Sequence, residues 1–331
     1  MKLILSCLLV FFLVSCKKEI DLESFSLTTY DPASATRLIP IDEHTVFPVE
    51  TDSSITTTTA GSALQYAYVP RRAMDRVNKL FVFIPGTTAG PDDYKLISQV
   101  GAKAGYHTIG IAYSNLLPIE FYALGAIGDG VVENILEEYL TGNNTSSRVD
   151  IGKQNGFENR IIKMIQYMDE QFPTENWSQY LDANGQLRWN LMSVSGHSQG
   201  SDHSMYMTRK RNLLRGGLFA GPGSFRLLNG NYPTFMRGPG LTPPENVFGL
   251  AHIRDEIRGW NDVRPTWATL AVPGLPTSVD NNNFRGANQL TTNISGTSSA
   301  HSAMVSDAVT PLRPNGVPEF ANVWIYMCFP R

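Results

Sequence analysis

Gly196-His197-Ser198-Gln199-Gly200 is the stretch of this chain best suited to chemistry. A serine hydroxyl is a weak nucleophile until the backbone presents it and a base activates it. Glycines two residues before and two after the serine allow a sharp turn, because a side chain at either place would collide with neighbouring backbone. Such a turn leaves Ser198 at the start of a helix, where unpaired N–H groups and the helix dipole favour developing negative charge. The five-residue pattern is common by chance, and its context is what raises it. An apolar run from Trp189 to Ser195 leads directly into it, and residues 201–212 carry a helical pattern directly after it. The expectation is therefore a strand, a tight turn and a helix, with Ser198 as nucleophile.

A nucleophilic serine needs a base, and the base needs an orienting carboxylate; in the fold that this turn resembles, the order along the chain is serine, carboxylate, histidine. Of the six histidines only His252 and His301 lie far enough beyond Ser198. His301 follows a run of small residues, Gly296-Thr297-Ser298-Ser299-Ala300, that can deliver an imidazole without steric conflict, so it is the expected base. His252 sits inside an apolar strand pattern and reads as a core or pocket-wall residue. His203 is too near in the same helix, His197 is expected to pack locally, and His44 and His107 precede the turn. For the carboxylate, the segment leaving the strand at 247–253 offers Asp255, Glu256 and Asp262. Asp255 is favoured because it is short and nearest the strand end; the other two remain open. Two backbone N–H groups must face the oxygen that becomes negative. Gln199 supplies one, and the loop Pro85-Gly86-Thr87-Thr88-Ala89-Gly90-Pro91 the other, from Thr87 first and Thr88 second. No His, Cys, Asp or Glu set has metal-ligand spacing, so neither a metal nor a cofactor is expected.

These residues need a frame. Leu64–Val69, Lys79–Ile84, His107–Tyr113, Trp189–Ser195, Gly217–Ala220 and Asn246–Ala251 read as buried strands. Between them, Asp92–Ala104, residues 116–142, a segment with Phe157, Ile161, Ile162, Ile165 and Met168 at helical spacing, and residues 201–212 read as helices, with Glu319–Cys328 closing the chain. Alternation of this kind implies an α/β fold with parallel strands joined by right-handed crossovers. Residues 226–245 and 256–295, rich in Gly, Pro and Asn, read as long loops over the sheet, and their Phe225, Tyr232, Phe235, Trp260 and Trp267 as candidate pocket-lining aromatics.

A net charge of −3 gives no basic surplus for nucleic acid, which leaves a small-molecule ester or acyl compound as the expected partner. The oligomeric state is not legible. Met1-Lys2 followed by the apolar run Leu3–Val14 reads as a secretory signal. It ends in Leu13-Val14-Ser15-Cys16, which resembles the bacterial lipobox. That resemblance implies cleavage before Cys16, its acylation, and a membrane-anchored lipoprotein of the cell envelope. The expected organisation is a signal peptide over 1–15, a tether and N-terminal extension over 16–60, and one domain over 61–331. Cys328, the one other cysteine beyond the signal, reads as a small buried hydrophobe.

Taken together, the Pro85-Gly86-Thr87 loop, the Gly196–Gly200 turn, Asp255 and His301 resemble the α/β-hydrolase superfamily from about residue 64 to the C-terminus. A narrower likeness, carried by Pro173–Trp177, Trp189, the Gly196–Gly200 turn, Ala300-His301 and Trp324-Ile325-Tyr326, is to a little-characterised group of exported bacterial α/β hydrolases. The resemblance implies a mostly parallel sheet with a nucleophile elbow, and hydrolysis without a cofactor through a Ser198–Asp255–His301 triad. A carboxylic-ester hydrolase is the leading expectation. A peptidase, thioesterase or acyltransferase on the same triad is the alternative, and so is a non-catalytic, lipid-tethered binding protein. One departure is Pro85-Gly86, where many relatives carry His-Gly.

Overall fold

The computed structural model describes residues 39–331, apart from Ala60, Ser62, Ala126, Ile127 and Asn282. Cys16 and the signal segment lie outside the described residues. Nine strands form one sheet: β1 (Ile41–Val46), β2 (Gln65–Pro70), β3 (Leu80–Ile84), β4 (His107–Gly110), β5 (Met192–His197), β6 (Arg215–Phe219), β7 (Val247–His252), β8 (Thr277–Ser278) and β9 (Gln289–Thr292). Their spatial order is β1-β2-β4-β3-β5-β6-β7-β9-β8. β1–β2 and β2–β4 pair antiparallel, and every other neighbouring pair runs parallel.

Alternation along the strands sorts the core into two layers. Leu80, Val82 and Ile84 of β3, with Met192 and Val194 of β5, face one cluster; Phe81 and Phe83 of β3 face the other. The first layer is covered by α4 (Val131–Thr141), α5 (Phe157–Gln171), α6 (Gln199–Lys210) and α7 (Trp260–Thr269), and the second by α2 (Lys95–Lys103) and α8 (Ala321–Cys328). Helices on both faces explain why every residue of β3 and β5 is buried. In α5 the buried face is Phe157, Arg160, Ile161, Met164, Ile165 and Met168, with Ile162 only half-covered at its margin.

Two expectations about elements are corrected. Residues 116–142 are not one helix: α3 (Ile119–Tyr122) is a single turn, and α4 begins only at Val131. Gly125, at φ 68°, breaks the path between them. Residues 256–295 are not simply a loop, since they contain α7, β8 and β9. β9 is buried although its sequence is Gln-Leu-Thr-Thr. Two of its polar side chains are bonded locally, Gln289 donating to the carbonyls of Val272 and Gly274 and Thr292 to Asp280.

Preceding β2, one more short helix, α1 (Pro48–Thr51), leads into the threonine tract. That tract is fastened to the domain. The buried guanidinium of Arg160 donates to the Thr56 carbonyl, to Thr57 Oγ1 at 3.0 Å and to the Ala112 carbonyl at 3.0 Å. The amide of Asn115 donates to the Thr58 carbonyl at 3.0 Å.

Candidate active site

β5 delivers the chain to Ser198, which sits at φ 54° and ψ −117° as the N-cap of α6. A non-glycine residue in that conformation costs of the order of 1–3 kcal/mol. The flanking glycines make the turn possible. A Cβ on Gly196 would stand 2.1 Å from the Gly200 carbonyl oxygen, and one on Gly200 would stand 2.0 Å from that of Ile84. Both distances are far inside contact, so the turn is pressed against itself and against the end of β3. The Ser198 amide donates to the Phe219 carbonyl at 2.9 Å. Its carbonyl accepts from the Ser201 hydroxyl at 2.6 Å and from Arg258 Nη1 at 2.8 Å.

Ser198 opens onto a cleft of about 720 Å³, whose walls include Thr87, Tyr94, Glu120, Ile257, Arg258 and His301. The His301 ring is 4.8 Å from that of His197, centroid to centroid. His301 Nδ1 lies 2.9 and 2.8 Å from the two oxygens of Asp255. Asp255 is buried, and its Oδ1 also accepts the amides of Ile257 and Arg258, each at 2.8 Å. Burial pushes this carboxyl up, but the hydrogen bonds from His301 and the two amides outweigh it and leave it below its ordinary range. It is therefore an anion at neutral pH, and His301 Nδ1 is the donor to it. The other two candidate carboxylates lie elsewhere. Glu256 accepts the backbone amide of His301 at 3.1 Å and the Ser299 hydroxyl, not the ring. Asp262 is exposed in the first turn of α7.

Gln199 is the first residue of α6, and its amide has no partner within the helix. Across the cleft, the Thr87–Gly90 turn packs against the serine corner: a Cβ on Gly86 would stand 3.4 Å from Ser198 Cβ, and Thr87 Oγ1 donates to Gln199 Oε1 at 2.7 Å. Asn115 holds this turn. Its side-chain amide donates to the carbonyls of Gly86 at 2.6 Å and Ala89 at 2.9 Å, while its backbone carbonyl accepts the Thr88 amide at 2.8 Å. The Thr88 amide is thus already engaged, whereas that of Thr87 makes no hydrogen bond among the described residues.

Beneath the corner, Arg258 gathers three segments. Beyond Ser198 it donates to both oxygens of Asp202, at 2.8 and 2.7 Å, and to Glu120 Oε1 at 2.6 Å. Burial opposes its charge, but the Asp202 and Glu120 carboxylates more than offset this and hold the guanidinium charged.

The remaining histidines are structural in their contacts. His252 ends β7, with Nε2 on the Ile294 carbonyl at 2.8 Å and Nδ1 accepting the Arg254 amide at 3.0 Å. His203 is buried among Tyr113, Tyr139 and Phe157. His107 bonds the Glu175 carbonyl and Tyr180, and His44 bonds the Glu175 side chain. His197 does more than pack locally, because its Nε2 bonds the carbonyl of His301 at 2.9 Å. The five loop aromatics do not line the cleft. Phe225, Phe235 and Trp267 are buried in the core, and Tyr232 and Trp260 lie against it. Cys328 is buried, with its Sγ 3.3 Å from Ser195 Oγ, and burial pushes the thiol up to about 12.

Among the described residues no group of three His, Cys, Asp or Glu side chains is placed to hold a metal ion, and no helix is long and apolar enough to cross a membrane. No protein-family model and no curated protein matches the chain.

Proposed function

We propose that this chain is a serine hydrolase of the α/β-hydrolase fold that cleaves carboxylic esters, with Ser198 at a nucleophile elbow. The observation that carries the reading is a convergence on one open cleft. A serine in a strained conformation at a helix N-terminus shares that cleft with an imidazole whose Nδ1 is bonded to a buried, ionised carboxylate.

In this reading His301 Nε2 takes the Ser198 proton as Oγ attacks the ester carbonyl. Asp255 keeps the proton on Nδ1 and stabilises the imidazolium that forms. The amides of Gln199 and Thr87 face the tetrahedral oxygen. Thr87 is preferred over Thr88 because the Thr88 amide is held by Asn115. His301 then protonates the leaving alcohol, and a water activated by the same imidazole releases the acyl group and regenerates Ser198. Losing one oxyanion donor typically costs about 10²–10³ in rate.

A fluorophosphonate probe tests the chemistry. Folded wild type should be labelled, Ser198→Ala should not, and a panel of p-nitrophenyl esters beside peptide amides should be turned over on the ester side. Folded wild type that resists the probe would favour the binding-protein alternative, and preferred cleavage of amides or thioesters would favour the other hydrolases. We also propose a lipid anchor on Cys16, motivated by Leu13-Val14-Ser15-Cys16. Radiolabelled palmitate should enter wild type in a bacterial host and not Cys16→Ala, and equal incorporation would refute the anchor.

A further inference from the structure

Nucleophile and base lie on separate segments, at 198 and 301, and one side chain bridges them. His197 directs Nε2 to the backbone carbonyl of His301 at 2.9 Å. A carbonyl only accepts, so Nε2 carries the proton. Nδ1 must then accept, and its partner is the hydroxyl of Tyr94 at 2.9 Å, which therefore donates. The amide of Gly86, which can only donate, lies 3.4 Å from the same hydroxyl oxygen. Each hydrogen bond in the chain Gly86–Tyr94–His197–His301 thus has a single direction. Both side chains are buried, Tyr94 at 3% exposure and His197 at 4%, so water does not compete for these bonds. Burial and the neighbouring His301 ring pull the His197 imidazole down to about 3, which leaves it neutral across the working range. The other polar groups of His301 are also held, the ring by Asp255 and the amide by Glu256. The carbonyl contact is the one that refers the base back to the residue beside the nucleophile.

We propose that His197 is a positioning residue for the hydrolytic reaction: held in its ring orientation by the Tyr94 hydroxyl, and with Nε2–H on the His301 carbonyl, it keeps the His301 backbone at the height from which the ring reaches Ser198. The inference rests on the hydrolase reading and adds to it a role for the variable place in the motif and for a tyrosine outside it. Without the Tyr94 hydroxyl, the buried Nδ1 lone pair has no donor and the ring can turn to find one, which draws Nε2–H off the His301 carbonyl and lets the base segment move. A displacement near 1 Å can cost about 10² in rate.

The test is a double-mutant cycle read by kcat and KM on a short p-nitrophenyl ester, alongside the rate of fluorophosphonate capture. Tyr94→Phe is expected to lower kcat and capture roughly 10-fold with KM within about twofold, a fraction of that displacement cost. His197→Gln retains an N–H donor of similar reach and should keep most activity, whereas His197→Leu should not. In the His197→Gln background Tyr94→Phe should cost less than about twofold, because the glutamine side chain has no Nδ1 for Tyr94 to hold. Imidazole ¹⁵N shifts should report protonated Nε2 at His197 in wild type. The proposal is overturned if Tyr94→Phe costs the same in both backgrounds, or if the ¹⁵N shifts place the proton on Nδ1 in wild type. If His197→Leu does not fold, the cycle decides without it. Wild type captured at Ser198 together with a flat cycle sinks the positioning role alone; wild type that is never captured sinks the hydrolase reading as well.

Discussion

Asp255 and Glu256 are adjacent carboxylates that both touch His301, and the difference in what they touch separates their roles. Asp255 meets the ring nitrogen, so its charge decides which nitrogen is protonated and how well an imidazolium is tolerated. Glu256 meets the backbone amide, so it fixes the segment and not the proton. Asp255→Asn should therefore lower kcat by about 10³–10⁴, as loss of the orienting carboxylate does elsewhere. Glu256→Gln keeps an acceptor oxygen and should stay within about tenfold of wild type. Steady-state kinetics on one ester compares the two, and the reverse ranking would move the triad acid to Glu256. At this scale the meeting of Asp255 with His301 beside the cleft of Ser198 could be expected because each residue obeys a local rule: small residues around a turn, a short acid at a strand end, a histidine after small residues. Tyr94, Asn115 and Arg258 were not. Tyr94 meets His197 across 103 residues and Arg258 meets Asp202 across 56, and no spacing in the sequence announces either meeting.

Among the elements, the β5–α6 corner is the one with least room. Gly200→Ala would drive a methyl group to 2.0 Å from the Ile84 carbonyl, and backbone on both sides prevents relief. The expected result is a large fall in melting temperature or failure to fold, measured by circular dichroism. Gly185→Ala, at a turn where nothing stands within 4 Å of the new carbon, meets no such obstacle and should cost only the strain of its φ of 74°. Equal melting temperatures for the two would mean that the corner is not tightly packed. Strands such as β3 were legible because both faces are covered and the run is wholly apolar. β9 was not, because two of its polar side chains are bonded by partners in the 272–280 segment that periodicity does not see. The 116–142 stretch misled for the opposite reason: its apolar content suits a helix, while its glycines interrupt one.

Over the whole molecule, acid groups set how stability follows pH. Asp307 caps the start of α2, accepting the amides of Lys95 and Leu96 at 2.9 and 3.1 Å. Burial raises its carboxyl to about 7 from an ordinary 3.8, although those amides pull the other way. The folded chain then holds a proton that the unfolded chain has released, so this contribution is complete below 3.8 and is lost as pH rises through 7. Asp307→Asn keeps the acceptor oxygen and removes the titration. Its melting temperature should gain on wild type as pH climbs from about 4 toward 7 and run level above that. A difference that does not change with pH would show that Asp307 is ionised throughout.

The threonine tract at 56–58 has a consequence for turnover. Arg160 and Asn115 hold it against the end of β4, and Asn115 is the same residue that holds the Thr87 turn. The threonine tract is therefore a buttress for the cleft wall. On the proposed hydrolase reading, a chain begun at residue 39 should turn over a p-nitrophenyl ester as fast as the full chain, while one begun past residue 58 should be slower.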